Sequence, residues 1–160
     1  MDIETGLAEA PEEDSLARTA VAHRAANLVR PPGSLRHLEE IAAWLGAWQR
    51  TDTPAVDAPA LLIAAGDHGV AAHQVSALRP DFTIATIDAI RAGAATSTVL
   101  AASLGASLRL VDVGAGLPTG DIVAEDSMAV VRFQSAFQEG RDAVATMTTD
   151  LLMIGDIGVG

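Results

Sequence analysis

The chain has 160 residues, is 49% hydrophobic, carries a net charge of −11 and contains neither cysteine nor lysine. This composition excludes disulfides, thiolate metal sites and lysine-based catalysis, and the acidic charge argues against nucleic-acid binding. The apolar runs are too short for a membrane span and the acidic N-terminus does not resemble a signal peptide, so we expect a cytoplasmic protein without membrane contact.

The N-terminal third reads as helical. Residues 1–14 are predicted to be an acidic disordered lead-in, and residues 15–59 a helical segment followed by a proline-flanked linker. Ser15 is a candidate cap for a helix that runs to about Val29, and Ser34 for a second helix. The second helix carries an amphipathic stripe at spacings of three and four, made of Leu35, Leu38, Ile41, Leu45 and Trp48.

Residues 60–160 are predicted to form an α/β core truncated at its C-terminal glycine loop. Apolar runs predict strands at Ala60–Ala65, Ser107–Val113 and Asp150–Ile154, with a further short strand at Val130–Phe133. Helices are predicted between them: one opening at Asp81 or Thr83, one over residues 94–104 and one over residues 134–147. The expected fold is a Rossmann-like, doubly wound parallel sheet with helices on both faces, preceded by the two N-terminal helices.

The first candidate site is the glycine-rich loop after the first strand. Asp67 and His68 follow the apolar run there, where doubly wound folds place their ligands. His68 is a candidate hydrogen-bond partner of a heteroaromatic ligand or an acid/base, while either side chain could equally well pin its own turn. His68 with His73 is a weak metal pattern because a third ligand is missing, and Asp112 is better read as a turn residue.

The second candidate site is the glycine-rich segment Gly155–Gly160. Three glycines at this spacing after a strand let backbone amides cradle an anion, usually together with the N-terminus of a following helix. The sequence contains no such helix after Gly160, so the pattern is an incomplete phosphate loop or a flexible terminus.

Taken in order, several short segments resemble the nicotinate-nucleotide–dimethylbenzimidazole phosphoribosyltransferase family. The matching segments, which span about Arg24 to Gly160, are Pro32-Gly33-Ser34-Leu35, the run from Ala65 to Ala71, Val75-Ser76-Ala77, Gly93-Ala94-Ala95, Val111-Asp112-Val113-Gly114 and the run from Gly155 to Gly160. Asp156 stands where the family has a glutamate, and the chain stops where the family continues for as much again.

The resemblance implies a reaction of cobalamin lower-ligand synthesis, without cofactor or metal. Nicotinate mononucleotide and 5,6-dimethylbenzimidazole would give α-ribazole phosphate and nicotinate. Asp67, His68 and Ser76 would line the base pocket, whereas the ribose phosphate would be approached by Asp156, Gly158 and Gly160. The family's catalytic glutamate and phosphate-binding lysine would lie beyond residue 160, so no catalytic residue is assigned and we expect little activity from this chain alone.

Three interpretations remain open at this stage. The chain is a member or fragment of the phosphoribosyltransferase, a catalytically inactive module that binds an azole or a nucleotide, or half of a split enzyme that needs a second chain. We also expect homo-oligomers or assembly with that missing chain, because a truncated parallel sheet leaves an edge uncovered.

Overall fold

The computed structural model describes residues 10–31 and 33–160, so most of the predicted acidic lead-in lies outside the described residues. Contacts between Cα atoms divide the chain into two compact units, Met1–Val56 and Asp57–Gly160. The domain boundaries proposed from the sequence, after residues 14 and 59, stay predictions.

The first unit contains helices α1 (Ser15–Ala26) and α2 (Arg36–Gln49). The side chain of Asp14, not of Ser15, caps α1, because its carboxylate accepts hydrogen bonds from the two amides of the first turn at 2.9 and 3.0 Å. The prediction that Ser34 caps α2 is also wrong, since the N-cap position belongs to the next residue, Leu35, which offers no side-chain acceptor.

Small residues bring α1 and α2 together. Ala43, Gly46 and Ala47 are the buried residues of α2, and a Cβ added at Gly46 would lie 2.6 Å from Cγ2 of Val21 in α1. The predicted apolar stripe of α2 lies largely outside this contact, because its members Leu35, Leu38, Ile41 and Trp48 are 44–61% exposed. Close helix approach therefore depends on the small-residue face of α2.

The second unit is built on a parallel sheet, as predicted. Strands β1 (Pro59–Gly66), β2 (Ser107–Gly114) and β3 (Leu151–Ile157) pair in the order β2-β1-β3 in the part of the chain that the structure describes. The connections contain a 3₁₀ helix and three α-helices: the 3₁₀ helix Gly69–His73, α3 (Phe82–Arg91), α4 (Thr96–Ser103) and α5 (Val130–Ala145).

Two strand predictions are corrected by the structure. The run Val130–Phe133 forms the first turn of α5, where the rings of Phe133 and Phe137 stack with centroids 6.3 Å apart, a contact that helical i,i+4 spacing provides. β3 does not stop at Ile154 but continues through Gly155 and Asp156, because these residues pair in register with β1.

The core of the second unit surrounds the central strand. Four residues of β1 are buried, and they are joined by buried residues of α3, α4 and α5: Ala60, Leu62, Ile63, Ala65, Ile87, Ile90, Ala101 and Ala143. From β1 the chain passes to β2 on one side of it, and from β2 it crosses over β1 to reach β3 on the other side. Since such crossovers are right-handed in nearly all proteins, the two connections place their helices on opposite faces of the sheet.

Candidate functional site

Three loops meet at the carboxyl edge of the sheet. The first loop (residues 66–70) follows β1, the second loop (residues 114–120) follows β2, and the third loop (residues 158–160) follows β3. The strand order reverses its direction between β1 and β3, which is the topological switch point where open α/β sheets bind ligands. The fold therefore brings the first and third loops to the position where a ligand site is expected.

Backbone hydrogen bonds join the first loop to both of the others. The amide of His68 donates to the carbonyl of Val159 at 3.1 Å, and the amide of Thr119 donates to the carbonyl of Asp67 at 3.0 Å. The amide of Gly69 donates to the hydroxyl of Thr119 at 3.2 Å. The three loops thus form one connected layer.

Two glycines of the third loop allow its close approach to the first. A Cβ added at Gly158 would lie 2.1 Å from the carbonyl oxygen of Gly66, and one added at Gly160 would lie 2.6 Å from Cβ of His68. Gly160 also has a φ of +126°, which side chains rarely adopt. These glycines are therefore required for close packing between the loops.

Asp67 is the buried centre of this layer, only 7% exposed. Its Oδ1 accepts hydrogen bonds from the hydroxyl of Thr83 at 2.5 Å and from the amide of Val159 at 3.3 Å, and its Oδ2 accepts one from the amide of Gly116 at 2.7 Å. Burial by itself would raise the pKa of this carboxyl, but the three hydrogen bonds outweigh it and hold the pKa of Asp67 below its ordinary value.

A cavity of about 310 Å³ opens beside Asp67. Most of its lining is apolar, and the imidazole of His68 is a polar group at its wall. The lining residues are Asp67, His68, Gly69, Ala71, Ala72, Pro80, Gly116, Pro118 and Val159. We call this space the first cavity; its volume and lining suit a small and largely apolar ligand with few polar atoms.

A second cavity of about 370 Å³ also borders His68. Its polar groups include the hydroxyls of Thr119 and Ser127, and Gly160 of the third loop lines it as well. His68 is itself exposed, and it lines both cavities. An imidazole in this position can exchange hydrogen bonds or a proton with a ligand in either space.

The remaining predicted site residues lie elsewhere. Ser76 is not among the residues that line either cavity, and its hydroxyl accepts a hydrogen bond from the amide of Leu78 at 3.1 Å within its own turn. Asp156 is exposed and lies opposite Ala64 in the β1–β3 ladder, so it belongs to a strand and not to the predicted glycine loop. The structure therefore brings Asp67, His68, Gly158 and Gly160 together, without Ser76 or Asp156.

Two further polar residues serve local structure. Asp112 closes the turn after β2 by accepting hydrogen bonds from the amides of Gly114 and Ala115 at 3.1 and 2.9 Å, which confirms its interpretation as a turn residue. Nε2 of His73 lies 2.6 Å from Oδ2 of Asp121, and this hydrogen bond is the main cause that lowers the pKa of Asp121. His73 is thus tied to the segment after β2.

Thr83 is a member of the site that the sequence motifs do not indicate. Thr83 is 1% exposed and shares the buried face of α3 with Ile87 and Ile90. A threonine in an otherwise apolar helical stripe is the signal that could have found it, because a buried hydroxyl needs a hydrogen-bond partner. Pro80 and Pro118, which also line the first cavity, have no such sequence feature that would identify them as site residues.

Two other kinds of site are not found in the described part of the chain. Within residues 10–31 and 33–160, no group of three or more histidine, aspartate or glutamate side chains is arranged to hold a metal ion. None of the helices over the same residues has the length and apolar character that a membrane span requires.

Comparison with known proteins identifies the family. The family model DBI_PRT, described as phosphoribosyltransferase, matches residues 10–160. The chain belongs to this family. Among curated phosphoribosyltransferases, the nicotinate-nucleotide–dimethylbenzimidazole phosphoribosyltransferase of Methylorubrum extorquens is 39% identical over 151 residues, and that of Ruegeria sp. strain TM1040 is 36% identical over 159 residues.

A solved phosphoribosyltransferase structure has the same fold. The nicotinate-nucleotide–dimethylbenzimidazole phosphoribosyltransferase of Thermus thermophilus superimposes with a TM-score of 0.81 at 28% sequence identity. The alignment covers 92% of this chain and 50% of that one. The Methylorubrum and Ruegeria comparisons cover 94% and 99% of this chain but only 44% and 47% of the relatives, so the chain spans about half the length of the curated relatives it matches.

Proposed function

We propose that this chain supplies the acceptor-binding part of a phosphoribosyltransferase of cobalamin lower-ligand synthesis. In that reaction 5,6-dimethylbenzimidazole replaces nicotinate on nicotinate mononucleotide, which gives α-ribazole phosphate. The observation that carries the proposal is the first cavity, an apolar space at the switch point with the imidazole of His68 in its wall. The names of the relatives support the choice of substrates.

The first cavity suits the benzimidazole better than the mononucleotide. Its volume of about 310 Å³ lies at the lower end of the range of about 300–1,000 Å³ that small-molecule sites occupy. Alanine and proline side chains offer flat apolar contacts, and the cavity lining contains no arginine that could pair with a phosphate. The net charge of −11 also disfavours an anionic ligand in this space.

The chemistry requires one bond to form as another breaks. A ring nitrogen of the benzimidazole forms the new bond to the anomeric carbon of the ribose, while the bond from that carbon to the pyridinium nitrogen breaks and its electron pair returns to nicotinate. The N–H proton of the benzimidazole passes to a base. We propose that His68 hydrogen-bonds and orients the benzimidazole in the first cavity. We further propose that the base itself is supplied by residues corresponding to the other half of the relatives' length.

The mononucleotide is proposed to approach from the other side of His68. The second cavity offers the hydroxyl of Ser127 and the backbone of Gly160, which are suitable partners for a ribose or a phosphate, whereas the hydroxyl of Thr119 already donates to the carbonyl of Gly120. We propose that residues corresponding to the other half of the relatives' length, on the same or a second polypeptide, complete this side. We further propose that the reaction takes place in the cytoplasm.

Calorimetric titration with 5,6-dimethylbenzimidazole and, separately, with nicotinate mononucleotide tests the proposal. We expect detectable binding of the benzimidazole and weaker binding of the mononucleotide. Replacing His68 by alanine removes one hydrogen bond, so binding of the benzimidazole should weaken about 2- to 12-fold, the equivalent of roughly 0.5–1.5 kcal/mol.

The matched control is His37→Ala. His37 lies in α2 of the first unit, where its side chain is 94% exposed and pairs with Glu40, so its removal should leave benzimidazole binding unchanged. A wild-type chain that prefers the mononucleotide would show that the cavities are assigned the wrong way round. Equal benzimidazole binding by the His68→Ala variant and the wild type would remove His68 from the site.

A further inference from the structure

Asp67 has little capacity left for a ligand. A carboxylate offers about four acceptor positions, and three on Asp67 are already occupied by Thr83, Gly116 and Val159. The side chain is also only 7% exposed. Although Asp67 borders the first cavity, its geometry is that of a group that holds protein atoms in place.

Two of the three donors lie in walls of the first cavity, and the third lies in the helix that follows a further wall residue. Gly116 lies in the second loop and Val159 in the third, and both residues line the cavity themselves. Thr83 lies in α3, just after Pro80, which lines the cavity from that side. One carboxylate therefore fixes three segments that sequence places far apart.

We propose that Asp67 is a positioning residue whose ionised carboxylate assembles the walls of the first cavity around the acceptor ligand, without touching the ligand through its own oxygens. The ligand part of this inference rests on the proposed function. Backbone hydrogen bonds from His68 to Val159 and from Thr119 to Asp67 do not involve the carboxylate. Loss of the carboxylate should thus loosen the cavity walls while the sheet remains formed.

The first test needs no ligand. The backbone amides of Gly116 and Val159 donate to the carboxylate, so their amide resonances should shift together in a pH titration followed by two-dimensional ¹⁵N–¹H NMR. The shared transition should disappear in Asp67→Asn. His68 is the titratable neighbour that acts on this carboxylate from its own loop, whereas Thr83 and the two amides are uncharged, so the titration is also recorded in His68→Ala.

The second test measures binding of 5,6-dimethylbenzimidazole by four variants. Asp67→Asn and Thr83→Val should weaken binding about tenfold or more, because each removes a charge-assisted hydrogen bond that sets the cavity walls. Thr83→Ser keeps the hydroxyl and should restore binding to within about twofold of wild type. The matched control Asp112→Asn changes an exposed aspartate that closes only its own turn, and it should bind like wild type.

The outcomes separate this inference from the proposed function. Titrating amides in a wild-type chain that does not bind the benzimidazole would contradict the proposed function and still support the positioning role. Amides that titrate unchanged in Asp67→Asn, or folded Asp67→Asn and Thr83→Val variants that bind like wild type, would overturn the positioning role. If Asp67→Asn does not fold, the Thr83→Val and Thr83→Ser pair decides the question.

Discussion

Substitution of Gly158 by alanine tests whether the third loop packs as closely on the first as the structure indicates. The new Cβ would lie 2.1 Å from the carbonyl oxygen of Gly66 and 3.5 Å from Nε2 of His68. Since a carbon and an oxygen normally stay about 3.3 Å apart, one loop must move by about 1 Å. The carbonyl oxygen of Gly66 belongs to the backbone, so it cannot rotate away as the end of a flexible side chain would.

The expected cost follows from this movement. Overpacking of this kind costs about 1–3 kcal/mol, and strain in the hydrogen bond between His68 and Val159 adds roughly 0.5–1.5 kcal/mol. We therefore expect the free energy of unfolding to fall by about 2–4 kcal/mol. With a urea m-value near 2 kcal/mol/M, the unfolding midpoint would fall by about 1–2 M.

Gly155→Ala is the matched control. Gly155 lies three residues earlier, in β3, and a Cβ at that position would meet nothing within 4 Å. This variant should be neutral or more stable by about 0.4–1 kcal/mol, because alanine reduces the entropy of the unfolded chain. Equal unfolding midpoints for Gly158→Ala and Gly155→Ala would refute the close contact between the loops.

The assay must report on the second unit. Both tryptophans of the chain lie in α2 of the first unit, so their fluorescence does not follow the sheet directly. Urea unfolding is therefore monitored by far-UV circular dichroism, and amide hydrogen exchange in β1 locates the loss of stability. We expect faster amide exchange in β1 for Gly158→Ala and unchanged exchange for Gly155→Ala.

Three further predictions concern stability. Because hydrogen bonds outweigh burial and lower the pKa of Asp67, its stabilisation is present above the ordinary aspartate pKa and is lost as the pH falls through the lowered value; urea midpoints should drop on acidification, and less so in Asp67→Asn. Gly140→Ala, in an open position of α5, should add about 0.5–1 kcal/mol to the free energy of unfolding, and an unchanged midpoint would contradict this. Arg109→Met should cost about 1–2 kcal/mol, because Arg109 donates to the carbonyl of Ala143 at 2.6 Å near the end of α5. The exposed Arg79→Met should change less than about 0.5 kcal/mol in the same urea series, and equal losses for both arginine variants would refute the role of Arg109.

The sequence predicts the sheet well because the apolar runs of β1 and β2 are flanked by unambiguous turn residues. It fails at Val130–Phe133, where β-branched residues favour a strand locally but the i,i+4 contact between Phe133 and Phe137 belongs to a helix. It also ends β3 too early, because glycine at position 155 reads as a turn signal although the register with β1 accommodates it.

The sequence predicts where the candidate site lies in the fold, but it does not predict the role of each residue in it. Strand ends identify Asp67 and His68, since the carboxyl edge of a parallel sheet is where ligands bind. The sequence cannot distinguish a carboxylate that contacts a ligand from one that holds three loops, because the donors Thr83, Gly116 and Val159 are distant along the chain. Ser76 is the complementary case: its hydroxyl accepts a short-range hydrogen bond from the amide of Leu78, which residue spacing does not reveal, and its place in the base pocket stays a prediction.

The strand order also determines when each strand can pair during synthesis on the ribosome. β1 precedes β2 and β3 along the chain, yet it lies between them in the sheet, where Ala60 pairs with Ser107 on one side and with Leu152 on the other. At synthesis rates of about 5–20 residues per second, β1 waits on the order of 5–20 seconds for its second partner. Until β3 has emerged, one edge of β1 stays unpaired and its apolar segment Leu61-Leu62-Ile63 is covered only in part. Slow translation before β3 would therefore lengthen the time during which the nascent chain is exposed to aggregation.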